Sequence, residues 1–226
     1  MRVFLGVTGA SGALYGGHAL RALTGAGCDV GLCVSDAGAH VISHEILEAG
    51  PRPPEDPGVV VASFVERFAA APGSVTVLGL NDLPAPFASG SSLAPAALIA
   101  PCSGSSLGAI AHGAARNLIH RCADVMLKER RRLVLMPRET PLSLIHLENM
   151  ATVTRAGALV LPAMPGFYTL PRSVEDMVDF MVGKALDHLG VPHELMARWG
   201  EGEQKDQPSS GSAALSGGRP SSGPLP

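Results

Sequence analysis

Two hydrophobic rhythms alternate along the chain. Short apolar runs occupy residues 2–7 (RVFLGV), 28–35 (CDVGLCVS), 74–80 (SVTVLGL), 96–100 (AALIA), 131–137 (RRLVLMP) and 158–165 (ALVLPAMP). Runs of this length, rich in Val, Leu and Ile and bounded by turn-forming residues, predict buried strands. Between them, apolar residues recur at helical spacing. Leu14, Ala19, Leu20 and Leu23 mark a helix over 12–26, and further helices are expected over 37–48, after the small-residue turn at 102–106, over 143–157 and over 173–190. Strand and helix in alternation predict a parallel sheet covered on both faces: a single, three-layer, doubly wound α/β domain of flavodoxin or Rossmann type. Residues 51–58 (PRPPEDPG) hold four prolines, which remove backbone donors and fix φ, so a surface loop is expected there. From Glu201 onward the chain turns to Gly, Ser and Pro with little to bury. A domain over 1–200 and a disordered tail over 201–226 are therefore expected.

Composition narrows the partners. With 226 residues and 46% hydrophobic content, the chain can fill one core of ordinary size. A formal net charge of -3 provides neither a broad basic surface for nucleic acid nor a polybasic membrane anchor. No apolar run approaches the ~20 residues of a membrane span, and the N-terminus passes from one Arg directly into strand-like sequence, so a soluble cytoplasmic protein with a small-molecule partner is expected. Cys28, Cys33, Cys102 and Cys122 form no CxxC pair and sit among apolar neighbours, which suits reduced core thiols.

The candidate chemistry lies at strand-to-turn junctions. Three of them carry small residues and hydroxyls: 8–12 (TGASG), Ser35 and 103–106 (SGSS). In a doubly wound sheet the carboxyl ends of the strands line one crevice, so these loops should converge on one ligand. Helix N-termini and free backbone N–H groups there favour an anion. A dinucleotide is the first alternative, because TGASGALYG is similar to the glycine-rich turn of short-chain dehydrogenases. That chemistry needs a Tyr with a Lys four residues on, but Ala19 follows Tyr15 at that offset and Arg172 follows Tyr168; GxGxxG is also absent.

A second unusual stretch spans 116–150. Arg121, Lys128, Arg130, Arg131 and Arg132 precede a strand that ends in Pro137-Arg138-Glu139-Thr140-Pro141. The run of three arginines reads equally well as a solvated helix end. Arg138 and Glu139 lie between two prolines at the edge of the expected crevice, where a purely solvent-facing role is strained. His112, His120, His146 and His188 lack the spacing of a zinc site, and Cys102 has no evident general base; both sets read as packing. No DDxxD magnesium motif occurs.

Taken together, TGASGALYG, ASGSS at 88–92, APCSGSSL, NLIHRCADVMLKERRRLVLMPRETPL, IHLENM, LPAMPGFY, SVEDMVDF and ARWGE resemble the UbiX-type flavin prenyltransferases, the phenylacrylic acid decarboxylase-like flavoproteins, over approximately residues 2–200. The resemblance implies that reduced FMN is bound and alkylated at N5 and then C6, without metal, by the dimethylallyl group of dimethylallyl phosphate, or of the diphosphate in some members. Prenylated FMN then serves UbiD-type decarboxylases, in ubiquinone biosynthesis or in aromatic acid breakdown. By the same resemblance, FMN is held by Gly9, Ala10, Ser11, Ser35, Ser103, Gly104, Ser105, Ser106 and Arg138. Tyr168 and Lys184 match positions that grip the prenyl phosphate, with Lys128, Glu139 and the loop of Ser89 and Gly90. Arg121 and Trp199 match positions that complete the site partly from neighbouring subunits of a homo-oligomer, a dodecamer in relatives. Ser11, Glu45, Lys128 and Glu139 are implied as catalytic, Glu45 handling a proton near the flavin edge.

The residue types suit that chemistry. A phosphate leaving an allylic carbon needs positive charge and donors where negative charge develops, which Lys128, Lys184, Tyr168 and Ser11 supply. Glu139 is placed to protonate the departing phosphate or to hold Ser11, and Tyr168 and Trp199 offer an aromatic wall for an allyl cation. Lys184 stands where many relatives have Arg, which keeps the charge but loses bidentate geometry. Two other readings of the fold stay open at this point. One is a flavin-binding accessory subunit; the other is a cysteine-peptide or phosphopantothenoylcysteine decarboxylase, for which His40 or His44 could stand as the base but whose PxMNxxMW-type loop is missing.

Overall fold

Alternate residues of each strand feed opposite layers, and this organises the whole molecule. In the computed structural model, which describes residues 1–91 and 94–196, β1 (Arg2–Val7) sends Val3, Leu5 and Val7 into one core cluster and Phe4 into the other. β2 (Asp29–Val34), β3 (Val75–Leu78), β4 (Ala96–Cys102), β5 (Arg132–Pro137) and β6 (Leu159–Val160) complete a sheet ordered β3-β2-β1-β4-β5-β6, with every neighbouring pair parallel. β4 lies in the middle and is buried along its entire length, which its run of small and branched apolar residues permits.

Helices α1 (Ala13–Gly25), α2 (Asp36–Glu45), α3 (Pro57–Phe68) and α7 (Val174–Leu189) cover the first face. The second face is covered by α4 (Gly104–Ala111), α5 (Leu118–Lys128) and α6 (Leu144–Ala156). The expected three-layer, doubly wound sheet is thus what forms. Winding reverses between β1 and β4, so the topological switch point, where such folds bind ligands, lies at their carboxyl ends.

Three local departures from the sequence reading have clear causes. The proline-rich loop does not continue past residue 56. Asp56 caps a helix by accepting from the Gly58 N–H (2.8 Å), Pro57 occupies its first turn, and Val60, Val61, Phe64 and Phe68 bury its inner stripe. Pro57 ends the loop because a helix tolerates proline at its start. β6 covers two residues instead of eight, since Pro162 and Pro165 cannot donate to a ladder; the chain beyond it is still held to β5 by Leu161 N–H to Leu135 O (2.8 Å) and Ala163 N–H to Pro137 O (3.0 Å). α2 ends at Glu45, and Glu48 adopts a left-handed φ of 54°.

Among the described residues, no helix is long and apolar enough to cross a membrane. Trp199 and the 201–226 segment lie outside the described residues.

Candidate active site

The two small-residue turns at the switch point are joined by one side chain. Thr8 directly follows β1 and is 2% exposed. Its Oγ1 donates to Pro101 O (2.8 Å) and accepts from the Ser103 N–H (2.7 Å), and its own N–H donates to Pro101 O (3.2 Å). The TGASG and SGSS turns therefore form one rigid edge. Gly9 has to be glycine, because a Cβ there would overlap the Ala37 side chain in the first turn of α2. Gly12 has a φ of 107° and precedes α1 without offering a side-chain cap.

The cap comes from elsewhere in the chain. Glu45, the last residue of α2, accepts from the N–H groups of Gly12 and Ala13, both at 2.9 Å on Oε2. Its charge sits at the positive end of α1 and satisfies two otherwise orphaned donors. This changes the expectation that all the helix N-termini of the crevice offer free donors to a ligand anion. At α1 the anion is the protein's own.

The other two helix starts carry serine caps. Ser35 Oγ accepts from the Gly38 N–H (3.0 Å), and Ser103 Oγ accepts from the Ser106 N–H (3.3 Å). Ser103 Oγ also contacts Ser105 Oγ (3.1 Å) and donates to Ser106 Oγ (3.2 Å). Gly104 lies against His146, whose Nε2 would be 2.9 Å from an added Cβ. Arg138, just past β5, donates from Nε to Ser11 O (3.0 Å) and so brings positive charge to the glycine turn. Burial pushes the Tyr15 hydroxyl above its ordinary value, with the charge of Arg138 opposing the shift. Glu139 Oε1 accepts from the Thr140 N–H (3.1 Å). The tie to Ser11 is made by Arg138.

Gly9, Ala10, Ser11, Ser35, Glu45, 103–106, Arg138 and Glu139 thus share the carboxyl edge of the sheet. Lys128 does not. α5 starts beside the end of β3, where the Leu118 N–H donates to Leu80 O (2.8 Å), and it finishes where Arg132 aligns with Ala96 at the amino edge. The seven residues of β4 between those edges span about 20 Å. Lys128 pairs there with Glu129, which lies below the usual carboxylate range because Lys128 donates a hydrogen bond to it and adds its charge. Their head groups crowd Gly90, where a Cβ would overlap both. Arg131 donates to Gly90 O (2.5 Å), Arg121 donates to Ala88 O (3.1 Å) and pairs with Asp124 (2.6 Å), and Ser89 Oγ contacts Ser91 Oγ (2.8 Å).

A third group stands on the chain leading into α7 and on that helix. The Tyr168 ring packs edge-on to Phe180 (5.7 Å), and the Lys184 ammonium lies 5.8 Å from the Phe180 centroid. Large apolar side chains are exposed nearby in sequence, with Phe167 71% and Leu170 80% accessible; Leu144 and Ile145 on α6 are each 68% accessible. Among the described residues, those singled out from sequence therefore form three groups, and the first is assembled at the switch point. One residue of the site was missed: Thr8, visible only as part of its motif. Cys102 fits its packing role, its thiol pushed up to about 12 by burial. Among the described residues no three His, Cys, Asp or Glu side chains are placed to hold a metal ion.

Known proteins are similar to this chain in sequence and fold. The Flavoprotein family matches residues 1–186. A flavin prenyltransferase UbiX of Halalkalibacterium halodurans is 49% identical over 197 residues, covering 87% of this chain and 92% of its own. The chain belongs to the UbiX flavin prenyltransferase family. Among solved structures, AnUbiX (PadA1) in complex with FMN and dimethylallyl pyrophosphate is 41% identical, with a TM-score of 0.75 over 88% of this chain and 96% of that one. A dodecameric FMN-dependent UbiX-like decarboxylase from Escherichia coli O157:H7 is 36% identical, with a TM-score of 0.72 over 85% of this chain and 97% of that one.

Proposed function

We infer that this chain is a flavin prenyltransferase, transferring the dimethylallyl group of dimethylallyl phosphate to N5 and C6 of reduced FMN. The observation that carries the reading is the Thr8 junction, which fuses a glycine turn and a serine turn into one edge at the switch point of a UbiX-family sheet. The residues present fit FMN. Two capped helix starts, at Ser35 and Ser103, direct N–H groups and positive dipole ends at that edge, the backbone approaches closely at Gly9 and Gly104, and Arg138 adds a fixed positive charge. Bound there, reduced FMN supplies the nucleophile that accepts the prenyl group.

The chain's own residues then have separable tasks. Ser35, the 103–106 turn and Arg138 hold the flavin phosphate. Glu45 anchors the start of α1 and lies beside the glycine turn, where it can take a proton. Departure of the prenyl phosphate calls for cations and donors, supplied by Lys128, Arg121, Lys184 and Tyr168, with Glu139 as the acid. Because Lys128 lies at the opposite edge of its own sheet, we assign its contribution to the crevice of a neighbouring copy. The dodecameric relative and the exposed apolar side chains of α6 and the 164–174 stretch support an assembly of this kind. We further propose that the product serves a UbiD-type decarboxylase, that Trp199 joins the aromatic wall, and that residues 201–226 are a tail outside the catalytic domain. Four buried free thiols are in keeping with a cytoplasmic location.

The test is anaerobic incubation with FMN, dithionite and dimethylallyl phosphate, followed by mass spectrometry of the released flavin. A flavin heavier by one five-carbon unit, formed only when the prenyl donor is present, is the expected result. FMN left unmodified by both mono- and diphosphate donors would overturn the reading.

A further inference from the structure

Behind the serine turn lies a buried histidine to which the reaction described above gives no task. His120, in the first turn of α5, is 8% exposed, and its Nε2 lies 3.4 Å from Ser106 Oγ. Its Nδ1 is buried and has no hydrogen-bond partner among the described residues. Burial, helped by the nearby Arg116 charge, lowers its proton affinity, so the ring is neutral near pH 7. A neutral imidazole carries one N–H, and its position follows from the partners available. A proton on Nδ1 would leave a buried donor orphaned, whereas a proton on Nε2 gives that donor Ser106 and leaves only a lone pair without a partner. Orphaned buried N–H groups are the rarer of the two.

We propose that His120 is a positioning residue for the anion site: its Nε2–H donates to Ser106 Oγ and frees the Ser106 hydroxyl hydrogen for a bound phosphate. The hydrogen bonds of the turn lead to the same result. Ser103 Oγ accepts from the Ser106 N–H and donates to Ser106 Oγ. With His120 also donating, Ser106 Oγ accepts twice, and its own hydrogen has no acceptor within the cluster. Ser106 is itself 7% exposed, so a misdirected hydroxyl there could not turn freely to water. The imidazole thus sets the polarity of the serine turn, making it a donor to anions.

This inference rests on the reading of the 103–106 turn as the seat of the FMN phosphate, and the test separates the two. Nitrogen-15 spectra of histidine-labelled protein should show His120 as the Nε2–H tautomer near pH 7; the Nδ1–H tautomer would overturn the proposal without any substitution. Affinities for FMN and for riboflavin, which lacks the phosphate, provide the second readout. His120→Phe should weaken FMN binding about five- to tenfold, as expected for one hydrogen bond to a charged group, and leave riboflavin binding unchanged. His120→Gln, which retains a side-chain N–H donor, should recover most of the loss, and His120→Phe should add nothing on top of Ser106→Ala. Equal losses for FMN and riboflavin would reduce His120 to packing and refute the proposal. Wild-type protein binding FMN no more tightly than riboflavin would remove the anion site itself, and the proposal with it.

Discussion

Replacing Thr8 with valine keeps the shape of the side chain and removes only its hydroxyl. Pro101 O loses one of its two donors but keeps the Thr8 N–H at 3.2 Å, so it stays satisfied. The Ser103 N–H loses its acceptor at 2.7 Å, at a position a methyl group would shield from water. Stranding one such donor costs about 1–3 kcal/mol, and the exchanged hydrogen bond adds little because its other partner is retained. We expect Thr8→Val to lower unfolding stability by about 2 kcal/mol, and Thr8→Ser, which keeps the hydroxyl and loses a methyl, by about 1 kcal/mol. Because Ser103 caps α4, Thr8→Val should also weaken FMN binding. The assay is equilibrium unfolding in urea at one fixed chain concentration, since the proposed assembly would make apparent stability concentration-dependent, alongside a flavin titration. A valine variant within about 0.5 kcal/mol of wild type would refute the junction as the element that makes the two turns one edge.

Other outcomes follow from the same geometry. Glu45→Ala should destabilise the protein by about 1 kcal/mol through the lost cap of α1, while Glu45→Gln, which still presents an oxygen to Gly12 and Ala13, should lose less; thermal melts of the two variants decide this, and equal melting points would count against the cap. Ser11→Ala and Lys128→Ala should each be inactive, yet oligomers co-assembled from equal amounts of the two should regain about a quarter of the activity if each site draws Ser11 and Lys128 from different copies. No recovery would return Lys128 to its own protomer's chemistry or to none. Cys33 and Cys102, pushed up to about 12 by burial from a reference value of 9.0, should resist iodoacetamide at pH 8.5 until the protein unfolds. The sign for stability follows: between pH 9 and 12 the unfolded thiols lose protons that the folded ones keep, so stability should fall as pH rises through that window. Rapid labelling of the folded protein would contradict the burial of these thiols.

What the sequence determined by itself was whatever depends on neighbours along the chain. Strand and helix alternation, the hydroxyl-bearing turns at Ser35 and 103–106, and the glycine turn after β1 were all legible, because period and turn chemistry act over a few residues. The convergence of those turns was legible too, since parallel winding brings strand ends to one edge. α3 was missed where Pro57 was read as part of a loop, although Asp56 and Pro57 are a helix start. The tertiary structure decided the rest. Thr8 meets Pro101 across 93 positions, Glu45 caps a helix that starts 32 residues earlier, and Arg138 reaches Ser11 across 127. It also separated Lys128 from the crevice by the length of a strand, although Lys128 and Arg138 lie only ten positions apart in the chain. Motif spacing records which residues are present, but not which edge of the sheet they reach, because that is set by the direction in which each helix crosses the sheet and by what it packs against.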